Sequence, residues 1–437
     1  MAARDVAAEL RGMYEAALAA ADPAKAVRDG LRAREVALEI VRDRPHWIIA
    51  LGKAAPAMAG AAVSFCADEG RAIAGGIVIG TAPAAAPHAR LESIVGDHPV
   101  PGARSQHAAE RLAALTEMVG RDDVVLLLLS GGTSSLVGAP IEGVRAEDLA
   151  SLHSLLLGAG VPISRVNAVR KRFSRWGAGR LAGALDCERV IPIVLADVPN
   201  EDPAMVGSGP VSPDALEARH VERILRDAGV AVRVPLSVAS AIGAMRAGAM
   251  AETPKAGSPA FAHVEAPYVV GNSAALEAIA SRANAAGWSP VLISHTLLTG
   301  DATAAGRALA HSAMRAARGS CLIWGGETTV RLPADHGLGG RCQQLALAAA
   351  EVWADHRPPV DGTWLLAAGT DGQDGAAPAA GAIVNEHTWT RSAAAGAQPA
   401  ISLRRCDSYA ALLAADGIVP ARHSGTNVMD VVVAIRE

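Results

Sequence analysis

Apolar residues in this chain come in short runs, each closed by glycine or a polar cluster and separated by stretches of helical spacing. Trp47-Ile48-Ile49-Ala50-Leu51 predicts a buried strand, with an alanine-rich helix after it over 54–64. Gly75-Gly76-Ile77-Val78-Ile79-Gly80, residues 124–129 and residues 190–195 predict three further strands. The 124–129 run is apolar on both faces, as a central parallel strand should be. Helical periodicity fills the intervals, for example over 105–119 and 148–159. Strand alternating with helix predicts a doubly wound α/β sheet, layered on both faces.

The texture changes over 250–267, where Glu-Thr-Pro-Lys-Ala-Gly-Ser-Pro is turn-rich and weakly periodic. A domain boundary there predicts an N-terminal domain over 1–250 and a C-terminal α/β domain over 268–437. In the latter, strands are expected at 268–270, 290–294, 320–324, 328–332 and 364–368, and a helix at 341–353. Residues 1–21 mix Arg, Asp and Glu with alanines and predict an amphipathic helix.

Composition bounds the function. A chain of 437 residues calls for two domains. With 51% hydrophobic and 19% charged residues it is globular, and with 3% aromatics its core is aliphatic. A net charge of -4 leaves no electrostatic footprint for nucleic acid. The five cysteines show no CxxC spacing, so neither a disulfide framework nor a zinc site is expected. The longest aliphatic run, 124–129, is far too short for a membrane span, and 1–21 lacks the core of a signal peptide. A cytoplasmic protein without membrane partners is the expectation.

The candidate chemistry sits where apolar runs end, since ligands of open α/β sheets bind outside the carboxyl ends of strands. The first strand ends in Gly52-Lys53, and Lys53 is one of only four lysines among 40 basic residues. This is not a P-loop, because Trp47 stands where its first glycine should be and Ala54 replaces its Ser/Thr. A surface lysine is the plain alternative, but a cation at a helix start opposes the dipole. Ser130-Gly131-Gly132-Thr133-Ser134-Ser135 offers close backbone approach, hydroxyls, and a helix N-terminus for an anion. Asp197 follows Leu195-Ala196, where desolvation favours a general base.

Three further clusters follow: Gly325-Gly326-Glu327-Thr328-Thr329, Gly339-Gly340-Arg341-Cys342-Gln343-Gln344, and Gly369-Thr370-Asp371-Gly372-Gln373-Asp374-Gly375. Arg341 opens a helix and suits bidentate capture of phosphate or carboxylate. Asp371 and Asp374 can hold Mg²⁺ together with waters and phosphate oxygens. Ser424-Gly425-Thr426-Asn427 adds polar groups or is simply a turn. His98, in Asp97-His98-Pro99-Val100-Pro101, reads as structural, because its prolines fix a turn.

Taken in order along nearly the whole chain, these motifs resemble the type II glycerate kinases, whose second half is the MOFRL domain. The resemblance also covers Gly52-Lys53-Ala54, Gly96-Asp97-His98-Pro99-Val100-Pro101, Val166-Asn167-Ala168-Val169-Arg170-Lys171, Asp197-Val198-Pro199, Ser208-Gly209-Pro210 and Gly425-Thr426-Asn427-Val428. It implies a Rossmann-like N-terminal domain, a smaller α/β C-terminal domain and an active cleft between them. It implies phosphorylation of the 2-hydroxyl of D-glycerate by ATP with Mg²⁺, giving 2-phosphoglycerate. Lys53 and Arg341 match the family's catalytic positions. Asp197 would accept the hydroxyl proton, and Asp371 with Asp374 would hold the metal. Ser130, Gly131, Gly132, Ser134, Glu327 and Asn427 would bind substrate and phosphate. The partners implied are a hydroxy acid and ATP, with a homodimer left open. The chain departs from the family pattern at Cys342 and Gln344, where Asn and Glu are usual, and at Pro378, an acidic position. Two other readings stand beside this one: a nicotinamide-dependent hydroxypyruvate reductase, and a non-catalytic anion-binding relative. The first lacks its expected G-x-G-x-x-G after an early strand.

Overall fold

The computed structural model describes residues 4–437. Its first sheet comprises β1 (His46–Leu51), β2 (Ile73–Gly80), β3 (Leu91–Val95), β4 (Val124–Leu129), β5 (Arg189–Leu195) and β6 (Tyr268–Val270). They lie in the order β3-β2-β1-β4-β5-β6, and the pairings among the first five are parallel. β1 and β4 are buried along their whole length, which is why Val124-Val125-Leu126-Leu127-Leu128-Leu129 carries no polar residue. The Ala55–Asp68 helix packs on β1, β2 and β4. Strand order reverses between β1 and β4, and the crevice of such a sheet lies outside the carboxyl ends of these two strands. β3 was not expected: Glu92 and Ser93 interrupt its apolar pattern, as a half-buried edge strand allows.

The second sheet contains β7 (Val291–Ile293), β8 (Ser320–Gly326), β9 (Thr363–Gly369), β10 (Ala379–Asn385), β11 (Ile418–Pro420) and β12 (Asp430–Arg436). Its order is β11-β10-β9-β12-β8-β7, with β12 antiparallel to both β8 and β9. The Arg341–Asp355 helix packs against β9 and β10 and is covered by the Ala302–Arg315 helix. Residues from Cys342 to Ala350 are all buried, because this helix is enclosed on every side.

The strand expected at 328–332 does not form. After Gly326 the chain runs against the 298–301 loop instead, with Thr329 N–H donating to Gly300 O at 2.7 Å and Ala302 N–H to Thr329 O at 2.9 Å. Only an isolated bridge, Asp301 to Thr329, remains of ladder pairing.

By internal contacts the described residues divide into two compact units. One takes Pro23–Ala196 and Asp202–Val269, and so carries the first sheet. The other takes the chain through Asp22, the short segment Asp197–Glu201, and Val270–Glu437. The Val6–Ala20 helix, capped by Asp5, therefore packs with the second sheet's unit, against the Asn272–Ala285 helix. Among the described residues, no helix is long and apolar enough to cross a membrane.

Candidate active site

In the first unit, the turn after β1 and the turn after β4 are tied together at the crevice. Lys53 N–H donates to Gly131 O at 2.9 Å, and Ser130 N–H donates to Leu51 O at 3.0 Å. Buried Ser130 accepts from Ala54 N–H through Oγ at 3.1 Å, and Thr133 Oγ1 donates to Ser130 O at 2.8 Å. Gly132 holds a left-handed φ of 87°, and a Cβ there would lie 3.2 Å from Lys53 Cγ and 3.3 Å from His98 Cδ2. Glycine is needed on both counts, backbone and space. The helix expected to receive an anion is a single turn, Thr133–Leu136, so its dipole offers little. Ser134 Oγ lies 2.7 Å from Ser208 Oγ, which joins a third loop to this wall.

In the second unit, the register of β12 gathers the remaining clusters. Asp430 pairs with Gly326 at the end of β8 and with Gly369 at the end of β9. Because β12 runs antiparallel, its first residue meets the last residues of both neighbours. Arg341 reaches this point as a fork: Nε donates to Asp430 Oδ2 at 2.6 Å and Nη2 to Oδ1 at 2.8 Å. Its Nη1 lies 3.1 Å from Glu327 Oε1. Burial opposes the Arg341 charge, but the hydrogen bonds and charge of Asp430 outweigh it and keep the guanidinium protonated. Burial pushes Asp430 up to about 6 despite Arg341, with Asp374 and Glu327 adding repulsion. Two of the five guanidinium N–H groups are spent on Asp430, and others stay available for an anion. Asp430 itself was not singled out from sequence. Its signal was an Asp directly ahead of Val431-Val432-Val433, but carboxyl-end reasoning overlooks an antiparallel strand.

Asp374, expected to hold a metal with Asp371, has its carboxylate engaged within the protein. Its carboxylate is buried and accepts from Cys342 N–H at 3.0 Å, from Gln343 N–H at 2.8 Å and from Gln343 Nε2 at 2.9 Å. It caps the Arg341–Asp355 helix, neutralising the N–H groups and dipole that a phosphate would otherwise use. The contact is so close that a Cβ at Gly340 would fall 2.2 Å from Asp374 Cγ. Desolvation raises Asp374, with these hydrogen bonds pulling the other way. Among the described residues, no three His, Cys, Asp or Glu side chains gather as a metal centre.

Asp371 keeps one oxygen uncommitted, since only Oδ1 is engaged, by Gln373 N–H at 3.0 Å. Asn427 Oδ1 accepts from Met429 N–H at 3.1 Å and shapes the approach to Asp430. Thr370 pins the same stretch, donating to Met429 O at 2.6 Å and accepting from Val428 N–H at 2.8 Å. Asp197 belongs to this second unit rather than to the sheet whose strand precedes it. The segment is held by Glu201, which accepts from Ser273 N–H at 2.6 Å and Ser273 Oγ at 2.9 Å.

Residues 9–243 match the family described as a domain of unknown function (DUF4147), and residues 320–430 match the MOFRL family. A D-glycerate 2-kinase of Thermotoga maritima is 34% identical over 89% of this chain and 90% of its own length. The chain belongs to the MOFRL glycerate kinase family. A protein of Agrobacterium vitis that bears a hydroxypyruvate reductase name is also 34% identical, over 97% of this chain and 92% of its own. The crystal structure of glycerate kinase from Thermotoga maritima superposes with a TM-score of 0.84 at 31% identity, covering 98% of this chain and 99% of that one.

Within this glycerate kinase family frame, the departures at 342 and 344 have local explanations. Cys342 is a buried thiol raised well above its ordinary range by desolvation and by the Asp430 and Asp374 charges, so it is inert packing. Gln344 donates through Nε2 to Leu403 O at 2.8 Å and to Thr303 Oγ1 at 3.1 Å. A carboxylate has no proton to give Leu403 O, so these surroundings suit the amide. Nothing around Pro378 explains its departure.

Proposed function

We propose that this chain is an ATP-dependent kinase that phosphorylates the 2-hydroxyl of D-glycerate to give 2-phosphoglycerate. What carries the reading is likeness over 89% of the chain to a relative named D-glycerate 2-kinase. The residues supply the chemistry that phosphoryl transfer needs, which is mostly positioning and charge stabilisation. Lys53 brings an ammonium on a flexible stem, and Arg341 brings its uncommitted N–H groups to the transferring phosphoryl oxygens. Asp430 and Glu327 fix the Arg341 fork, so little ordering is required during reaction. Ser130, Gly131 and Gly132 form the wall beside Lys53, Ser134 adds a hydroxyl, and Asn427 shapes the wall beside Arg341.

Magnesium enters with ATP as the Mg–ATP substrate. Such an ion commonly uses one or two carboxylates plus phosphate oxygens and waters; Asp371 keeps an oxygen for that role, while both oxygens of Asp374 already accept from backbone N–H groups. Two groups are chemically suited to take the hydroxyl proton: the Asp197 carboxylate and the His98 imidazole beside Lys53. The five cysteines are all free and buried, which accords with work in the reducing cytoplasm.

The reductase reading lacks a nucleotide fingerprint. The turn after β1 reads Gly52-Lys53-Ala54-Ala55-Pro56, where a dinucleotide enzyme needs its glycines. A single paired experiment decides. D-Glycerate, ATP and Mg²⁺ are supplied with enolase to report 2-phosphoglycerate, and hydroxypyruvate with NADH is run in parallel. Product is expected only in the first reaction, and Lys53→Met should abolish it while leaving the circular dichroism unchanged. Turnover only in the second would sink the kinase reading.

A further inference from the structure

The segment 96–99 lies against the turn that follows β4. Gly96 packs so closely there that a Cβ would fall 2.4 Å from Leu136 O. Asp97 is fixed from both sides: its N–H donates to Ser105 Oγ at 2.8 Å, and its carboxylate accepts from Arg104 N–H at 2.9 Å and Arg104 Nε at 2.7 Å. Pro99 O accepts from Ser135 Oγ at 2.6 Å. Every neighbour of His98 is therefore pinned, and these bonds hold its imidazole against Gly132 beside the Lys53 stem. His98 also borders an open cavity of about 370 Å³ formed by its own segment, with Asp97, Pro99 and Arg104.

We propose that His98 is the general base of the reaction, taking the proton from the hydroxyl of the hydroxy acid as that oxygen is phosphorylated. The proposal rests on the kinase reading and gives its proton a destination. The substrate O–H proton passes to the imidazole, the oxygen bonds to the γ-phosphorus of ATP, and the bond from that phosphorus to the bridging oxygen breaks. ADP leaves with the electron pair, and the imidazolium then releases its proton to water. Partial burial, followed by the Lys53 charge, lowers the affinity of His98 for a proton. The ring is thus neutral, ready to accept, at neutral pH. The charged groups around it are Lys53 from the β1 turn and the paired Asp97 and Arg104; the 130–136 turn brings none.

The test is chemical rescue. His98→Ala should lower kcat by about 100-fold, the lower range for a positioned base, and added imidazole should restore part of the loss. Substituted imidazoles should rescue better as their basicity rises. Asp197→Asn should show no such rescue. In Lys53→Met, the His98 ring followed by proton NMR should titrate at higher pH than in the wild type. Should the alanine variant fail to fold, His98→Gln keeps most of the volume and must show the same loss. Wild-type turnover in a folded variant, or a loss that imidazole does not restore, overturns the assignment. A wild-type enzyme that makes no phosphoglycerate instead overturns the kinase reading and leaves the two failures distinct.

Discussion

At the scale of single residues, the decisive feature is how one cation is held. Arg341 arrives with its fork already engaged by Asp430, which is 4% exposed, and steadied by Glu327. Asp430→Ala removes the fork's anchor and leaves Arg341 with Glu327 alone, so it should cost about 1.5–3 kcal/mol in urea unfolding, the worth of a hydrogen bond to a charged group, and depress kcat with it. An unchanged urea midpoint would show that the pair contributes nothing. The same pair gives a pH expectation. Asp430 is ionised above about 6, and as the pH falls through that value its carboxylate protonates and releases the fork. Turnover should decline on the acid side, and Asp430→Asn, which cannot titrate, should lack that component of the decline. Asp371 and Asp374 looked equivalent in sequence because both stand in one glycine-rich turn. They differ only in burial and in what lies opposite, which sequence does not display.

At the scale of elements, the helix from Arg341 and the loop that caps it form one device. Asp374 occupies the N-terminus that would otherwise attract phosphate, and thereby fixes where Arg341 leaves the helix. Asp374→Asn should lower stability by about 1–2 kcal/mol, as loss of a cap does, while the Mg²⁺ concentration needed for half-maximal rate stays put. A shifted Mg²⁺ requirement with unchanged melting would return Asp374 to the metal. Strands were legible where burial on both faces forces an unbroken apolar run, as in β1, β4 and β5. They were illegible where the run is broken or small. β10 reads Ala379-Ala380-Gly381-Ala382-Ile383-Val384-Asn385, weak in strand formers, and exists because β9 and β11 pair with it. The turns after β1 and β4 could be placed from sequence because their residues are contiguous with the strands that carry them. The role of Asp430 could not, since it depends on which strand lies beside which.

At the scale of the whole chain, the candidate residues divide between the two compact units. The first carries Lys53, His98 and the Ser130–Gly132 wall; the second carries Arg341, Glu327, Asp371, Asn427, Asp430 and Asp197. The chain contributes to the second unit from three separate stretches, including the N-terminal helix. Tyr14 from that helix donates to Gly369 O at 2.6 Å, and Arg422 grips Glu15 at 2.7 Å while its backbone N–H reaches Gly372 O at 3.0 Å. Tyr14 and Glu15 of the Val6–Ala20 helix are thus part of the support for the Asp371 turn, a long-range dependence that local pattern could not reveal. The family motifs, by contrast, were readable in order along nearly the full length, because each lies at the end of an element. The central claim is the transfer of a phosphoryl group to one particular hydroxyl, and the ³¹P spectrum of the product reads it directly. Without proton decoupling, a phosphate on the 2-oxygen sees a single neighbouring proton and gives a doublet; one on the 3-oxygen sees two and gives a triplet. With D-glycerate and Mg–ATP the account predicts the doublet alone, absent in Lys53→Met. A triplet, or no new phosphate ester at all, would contradict it.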